Sequence, residues 1–153
     1  MVMRLVVQRV KAASVKVDSK TVGKIGGGLL VLVGVSRDGT AADAAHLAKK
    51  TVNLRIFDDA EGRMNSSVLD HGGGILAVSQ FTLYGNCRKG NRPSYIEAAR
   101  PEKGLMLYEE YVKQLRAHGV QAETGIFQAE MEVRLTNDGP VTLLLESTGR
   151  TRG

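Results

Sequence analysis

Gly26-Gly27-Gly28-Leu29-Leu30-Val31-Leu32-Val33 carries the main structural signal of this chain. Three glycines interrupt the backbone, and the five residues after them are apolar at every position. A strand with one wet face alternates apolar and polar residues, whereas a strand covered on both faces does not. Leu29–Val33 therefore reads as a central buried strand. Upstream, residues 2–10 predict a first strand and Ser14–Val17 a second, with Val15 and Val17 on one face. Asp18-Ser19-Lys20 is a turn cluster, and Thr21–Ile25 returns as a strand.

Downstream, Thr40-Ala41-Ala42-Asp43 predicts a capping box opening a helix. Ala44, Leu47, Ala48 and Leu54 follow at helical spacing, with an end expected near Phe57. A loop spans 58–74, and Ile75–Leu83 predicts another strand. Residues 88–100 begin as a basic loop and turn helical over Tyr95–Ala99. Pro101 suits the first turn of a longer helix, whose inner face is Leu105, Tyr108, Val112 and Leu115 and whose end is His118-Gly119. Met131, Val133 and Leu135 alternate as one strand, Val141–Glu146 form the next, and Ser147–Gly153 is expected as a frayed tail. Strands at both ends with helices between them predict one α+β domain over residues 1–153. Its sheet should be curled, mostly antiparallel and barrel-like, with two main helices packed on it.

Composition narrows the function classes. The 153 residues are 42% apolar and 24% charged, with no Trp, so the core is built from Val, Leu, Ile and Met. The net charge of +5 suits an anionic partner but equally serves solubility. A single cysteine, Cys87, forms no internal disulfide, which fits a reducing compartment. No apolar run approaches the roughly 18 residues of a membrane span, so no membrane partner and a cytoplasmic location are expected.

Several chemistries lack their partners. His71-Gly72-Gly73-Gly74 has the look of an oxyanion loop, but no G-x-S-x-G elbow accompanies it. His46, His71 and His118 are scattered, so no metal site is expected. Cys87 beside Arg88 and Lys89 is a candidate nucleophile without a visible base.

Two segments stand out. Ser79-Gln80-Phe81-Thr82-Leu83-Tyr84-Gly85 gathers hydroxyl and amide groups at a strand end, as the rim of a site or as the polar face of an edge strand. Asn137-Asp138-Gly139-Pro140-Val141-Thr142 has the composition of a hairpin turn, although Pro directly after Gly is awkward there. Blind statistics favour a trans Gly-Pro bond.

Taken in this order, the two segments resemble the D-aminoacyl-tRNA deacylase family. Gln8-Arg9-Val10, Ile56-Phe57, Met64-Asn65, Gly90 with Arg92-Pro93-Ser94, and Thr124-Gly125-Ile126-Phe127 through Met131 extend the likeness over nearly the whole chain. The resemblance implies a homodimer that hydrolyses the ester of D-aminoacyl-tRNA without a cofactor. It implies a cis bond between Gly139 and Pro140, which reach as a wedge into the partner's active site with Arg9 steadying them. Ser79, Gln80, Phe81 and Thr82 would form the floor around the ester, and Phe127 and Met131 would bound the pocket for the terminal adenosine. Arg88, Lys89 and Arg92 follow the floor directly, placing them to meet acceptor-stem phosphates. A wedge of main chain rejects L residues but has nothing to exclude in glycine, so glycyl-tRNA is an expected substrate as well. A non-catalytic RNA-binding protein and a Cys87-dependent hydrolase are the competing readings.

Overall fold

The computed structural model describes residues 2–149. In chain order the elements are β1 (Met3–Val17), β2 (Lys20–Ile25), β3 (Gly28–Val35), α1 (Ala41–Asn53), β4 (Phe57–Asp58), β5 (Met64–Ser66), α2 (Val68–His71) and β6 (Gly74–Ser79). A 3-10 turn (Phe81–Tyr84), α3 (Pro101–Ala117), β7 (Gln121–Thr124) and β8 (Glu132–Ser147) complete the chain. The architecture is α+β, as the strand and helix order predicts. Antiparallel pairs join β1 to β2, β3 and β8, while β3–β6 and β6–β7 are parallel. The sheet is therefore mixed, with most pairings antiparallel.

Its core has two compartments because β3 is apolar on both faces. Leu29, Val31, Val33 and Val35 pack against α1 and α3 together with Met3, Leu5, Val7, Ile75 and Ala77. Leu30 faces the opposite way, into a second cluster with Val10, Ala13, Val15, Ile25, Leu76 and Val78. The sheet curls around this second cluster until β2 meets β7: a Cβ on Gly23 would stand 2.4 Å from the Thr124 carbonyl oxygen. Only a glycine permits that approach.

The outer helices follow the sequence closely. Thr40 and Asp43 form the expected reciprocal cap of α1, and Pro101 occupies the first turn of α3. Gly119 leaves α3 with φ +91°, a conformation that favours glycine.

Five local expectations change. Residues 2–10 and 14–17 belong to one 15-residue strand, β1. Its alternation breaks because Lys11 is an extra residue opposite β8, where Val10 faces Asn137 and Ala12 faces Thr136. Helix α1 stops at Asn53 rather than near Phe57. Leu54 is extended, and the Ile56 carbonyl accepts from Arg9 instead. Tyr95–Ala99 is a turn with bridges, not a helix, since the Ala99 N–H donates to Val35 and Ser36 pairs with Ala98. The two expected C-terminal strands are one, β8. Ser147 is no frayed tail: it is buried, ends β8, and its hydroxyl donates to the buried Asp43 carboxylate. Residues 150–153 of the expected tail lie outside the described residues.

The strand β8 is an edge. It runs along β1 from Met3 to Lys16, while β3 and β2 share the other side of β1 end to end. No strand pairs with its outer side among the described residues.

Candidate active site

The segment Ile75–Leu83 does not stay extended. It leaves the sheet after Ser79, where its register with β3 ends at Val33. The Gln80 N–H still donates to the Val33 carbonyl at 2.8 Å, and the chain then winds into the 3-10 turn through Leu83 N–H to Gln80 O. The expected sorting of Ser79, Phe81 and Leu83 onto one strand face is overturned by this turn. Gly34 makes it possible: a Cβ there would lie 2.8 Å from the Leu83 Cβ. The turn thus rests directly on the backbone of β3.

Short helical turns leave their first N–H groups without internal partners. Among the described residues no backbone acceptor takes the N–H of Phe81 or Thr82. Both side chains are exposed. The Gln80 amide donates to the Thr82 hydroxyl at 2.5 Å, which fixes where that oxygen points. Phe81 meets Tyr95 edge-on, with ring centroids 5.2 Å apart.

Ser79, Gln80 and Phe81 line a cavity of about 620 Å³ whose far side includes Phe127 and Met131. That volume lies within the ordinary range for a small-molecule or cofactor-sized site. Phe127 lies over α3 at Gly104, where an added Cβ would meet its ring at an ordinary 3.4 Å. Beneath the floor, the Tyr108 hydroxyl donates to the Ala77 carbonyl of β6 at 2.6 Å. Burial pushes its pKa up to about 12.

Gly139 and Pro140 do not line this cavity. Their bond is cis, and both residues are exposed. They sit on a bulge, not in a hairpin turn: between Gln8↔Thr142 and Val10↔Asn137, β8 advances five residues while β1 advances two. The bulge is stitched from within. The Asn137 amide nitrogen donates to the Thr142 hydroxyl at 3.0 Å, and its oxygen accepts the Val141 N–H at 2.8 Å. Arg9, only 9% exposed, donates to the Asp138 carbonyl at 3.0 Å and the Ile56 carbonyl at 2.6 Å. Its guanidinium also lies 3.6 Å from the Asp138 carboxylate. Gly139 has φ +135°, and a Cβ there would meet the Arg9 guanidinium at 3.1 Å.

The basic residues separate. Arg88 lines a second cleft of about 300 Å³ with Arg4, Tyr84, Cys87 and Glu97. Lys89 and Arg92 are exposed in the adjoining loop. Cys87 lies in this second cleft and not in the larger cavity. Sequence reasoning missed Tyr95, Gly104 and Gln128 around the main cavity, and it missed Asn137 as the brace of the bulge. Only Asn137 carried a signal, since Asn beside a Gly-Pro pair suits a side chain that caps its own backbone.

A sequence model described as D-Tyr-tRNA(Tyr) deacylase matches residues 6–146. D-aminoacyl-tRNA deacylase of Bacillus licheniformis is 59% identical over 145 residues, covering 95% of this chain and 99% of that protein. The protein of the same name from Thermus aquaticus is 53% identical over 146 residues, covering 95% and 96%. Among solved structures, one titled c-Myc DNA Unwinding Element Binding Protein superposes with a TM-score of 0.89 at 41% identity, covering 94% of this chain and 98% of that one.

Proposed function

The chain belongs to the D-Tyr-tRNA(Tyr) deacylase family, and from that premise we propose how it hydrolyses the ester of D-aminoacyl-tRNA, releasing D-amino acid and free tRNA. The observation that carries the reading is a pair of separated half-sites. Ser79, Gln80 and Phe81 open onto a cavity with Thr82 next to them in the turn, and an exposed, braced Gly139–Pro140 bulge stands on an edge strand outside the cavity lining. Each is incomplete alone. A second copy of the chain supplies the match: its bulge enters the cavity, and its wedge of main chain occupies the space an L side chain would need.

Main chain suits that task, because the peptide is planar and proline's φ is fixed while side chains hop between rotamers. The open outer edge of β8 favours a second copy, as does the apolar surface there, with Leu135, Leu143 and the 55%-exposed Leu144 facing out. A D side chain projects away from the wedge. Glycine has no branch to reject, so glycyl-tRNA is cleared as well; its complete resistance at high enzyme would contradict a steric filter.

The chemistry asks little of the protein because an aminoacyl ester is already activated. The N–H groups of Phe81 and Thr82 are the oxyanion donors, each worth roughly 10²–10³ in rate. Among the described residues the Thr82 hydroxyl is bonded by the Gln80 amide and by no basic side chain. That favours a role for Thr82 in orienting the ester, with the 2′-hydroxyl of the RNA assisting. Thr82→Ala with near-normal turnover would exclude Thr82 as a nucleophile. No metal or organic cofactor enters, and the workplace is the cytoplasm, where aminoacyl-tRNA is used.

The second reading is a nucleic-acid-binding protein without catalysis, favoured by the net charge of +5 and by the name of the 41%-identical structure. One assay separates the two: purified protein with matched D- and L-tyrosyl-tRNA, following free tyrosine. Release from the D ester alone is the expected result. Equal release from both, or none from either, overturns the hydrolase reading.

A further inference from the structure

Behind the 3-10 turn, the second cleft is built from two arginines, and its chemistry is not used by the ester site. Arg4 reaches into it from β1. One of its terminal nitrogens donates to the Leu83 carbonyl at 2.7 Å, the other lies 3.5 Å from Glu146, and the guanidinium stacks 4.8 Å from the centre of the Tyr84 ring. Its Nε is the one buried side-chain nitrogen or oxygen without a hydrogen-bond partner among the described residues. Arg88 closes the cleft from the other side, its backbone N–H held by the Asn86 side chain at 3.0 Å.

We infer that this second cleft receives a backbone phosphate of the substrate's single-stranded 3′ end, an inference that rests on the hydrolase reading above. Guanidinium groups recognise phosphate oxygens with short charge-assisted hydrogen bonds. The carboxylates present leave the Arg88 guanidinium without an ion pair among the described residues. Glu146 balances Arg4, and Glu97 on the wall makes no ion pair with Arg88. Lys89 and Arg92 add positive charge in the same loop.

The placement fits a nucleotide strand. Phe81 on the cavity and Tyr84 on the cleft are three positions apart along the 3-10 turn, roughly 6 Å at its rise. That is about two stacked nucleotide steps of roughly 3.4 Å. The same two walls divide cavity from cleft, since Phe81 and Ala98 line the first while Tyr84 and Glu97 line the second. With the terminal nucleoside in the large cavity, the preceding phosphate crosses the turn and meets Arg88 and Arg4. The contact reads no base, so it serves every tRNA sharing the same 3′ end.

The test is equilibrium binding of deacylated tRNA over a range of salt concentrations, with the intact chain and Arg88→Gln. The same measurement is repeated on tRNA stripped of its three 3′-terminal nucleotides. Loss of one charge-assisted contact should weaken binding of intact tRNA about tenfold at low salt. It should also lower the salt slope by about 0.7, the single-strand value per phosphate. Stripped tRNA should bind both proteins alike, and Arg88→Lys should keep the slope. An equal loss on both RNAs, or none on either, overturns the phosphate subsite. Because the readout needs no turnover, a protein inert toward D-tyrosyl-tRNA would sink the hydrolase reading separately.

Discussion

The turn at Phe81–Tyr84 and the bulge at Asn137–Val141 both depart from extended strands, yet they are held by different forces. The turn lies on the backbone of β3, with Leu83 packed where Gly34 has no side chain and Tyr84 buried beside it. The bulge stands on an open edge and is held by hydrogen bonds from Arg9 and Asn137. Packing fixes a segment from one side and leaves its other face free, which suits a floor that must meet substrate. Hydrogen bonds directed at the bulge's own backbone fix its shape without covering it, which suits a probe that enters another surface.

Substitutions can break that contrast. Gly34→Ala should have the largest effect, because its Cβ drives into the Leu83 Cβ at 2.8 Å. A displacement of about 1 Å in the turn should lower kcat on D-aminoacyl-tRNA about 100-fold. A melt showing the fold intact would accompany that loss, and unchanged turnover would mean packing does not set the turn. Arg9→Met acts on the other region. It strips donors from the Ile56 and Asp138 carbonyls and should cost about 2–4 kcal/mol in urea unfolding. The ratio of D to L hydrolysis should fall with it, and Arg9→Lys should not restore the ratio, since an ammonium lacks the fork that spans both acceptors. Asn137→Ala removes the inner stitches only, with an expected loss of about 1–2 kcal/mol and a smaller drop in selectivity than Arg9→Met. Smallest is Gly104→Ala on α3. The new methyl meets the Phe127 ring at an ordinary 3.4 Å, so helix propensity should dominate. Stability should rise by about 0.5–1 kcal/mol, and a loss instead would show that Phe127 has no room to adjust.

The same contrast explains what the sequence could reveal. Periodicity exposes elements whose faces are uniform along their length. The all-apolar Leu29–Val33, the Thr40–Asp43 cap and Tyr108, Val112 and Leu115 of α3 were legible for that reason, although Leu107 and Tyr111, not Leu105, complete the buried face of that helix. It fails where a strand changes face or leaves the sheet. Lys11 is one extra residue in β1, enough to make one strand look like two. Ser79–Leu83 alternates in composition yet winds into a turn, because the deciding residue is Gly34, more than forty positions earlier. Asn137–Pro140 reads as a hairpin because its own composition is that of a turn, whereas the pairing of both flanks with β1 makes it a bulge. Site residues close to the two motifs were legible through family likeness. Tyr95, Gly104 and Arg4 were not, since each matters through a contact distant in sequence.

The Asp43 carboxylate has a further consequence. It begins α1 by accepting from Thr40, and it is completed by the hydroxyl of Ser147, 104 positions later. On a ribosome, the second oxygen of that buried carboxylate therefore gains its partner only once β8 has emerged. Until then the flank of β1 that β8 will cover has no strand beside it, and an unpaired flank invites pairing with other chains. Nascent molecules of this protein should depend on holding chaperones most heavily just before β8 emerges, and premature termination upstream of β8 should yield aggregates rather than a shorter folded domain.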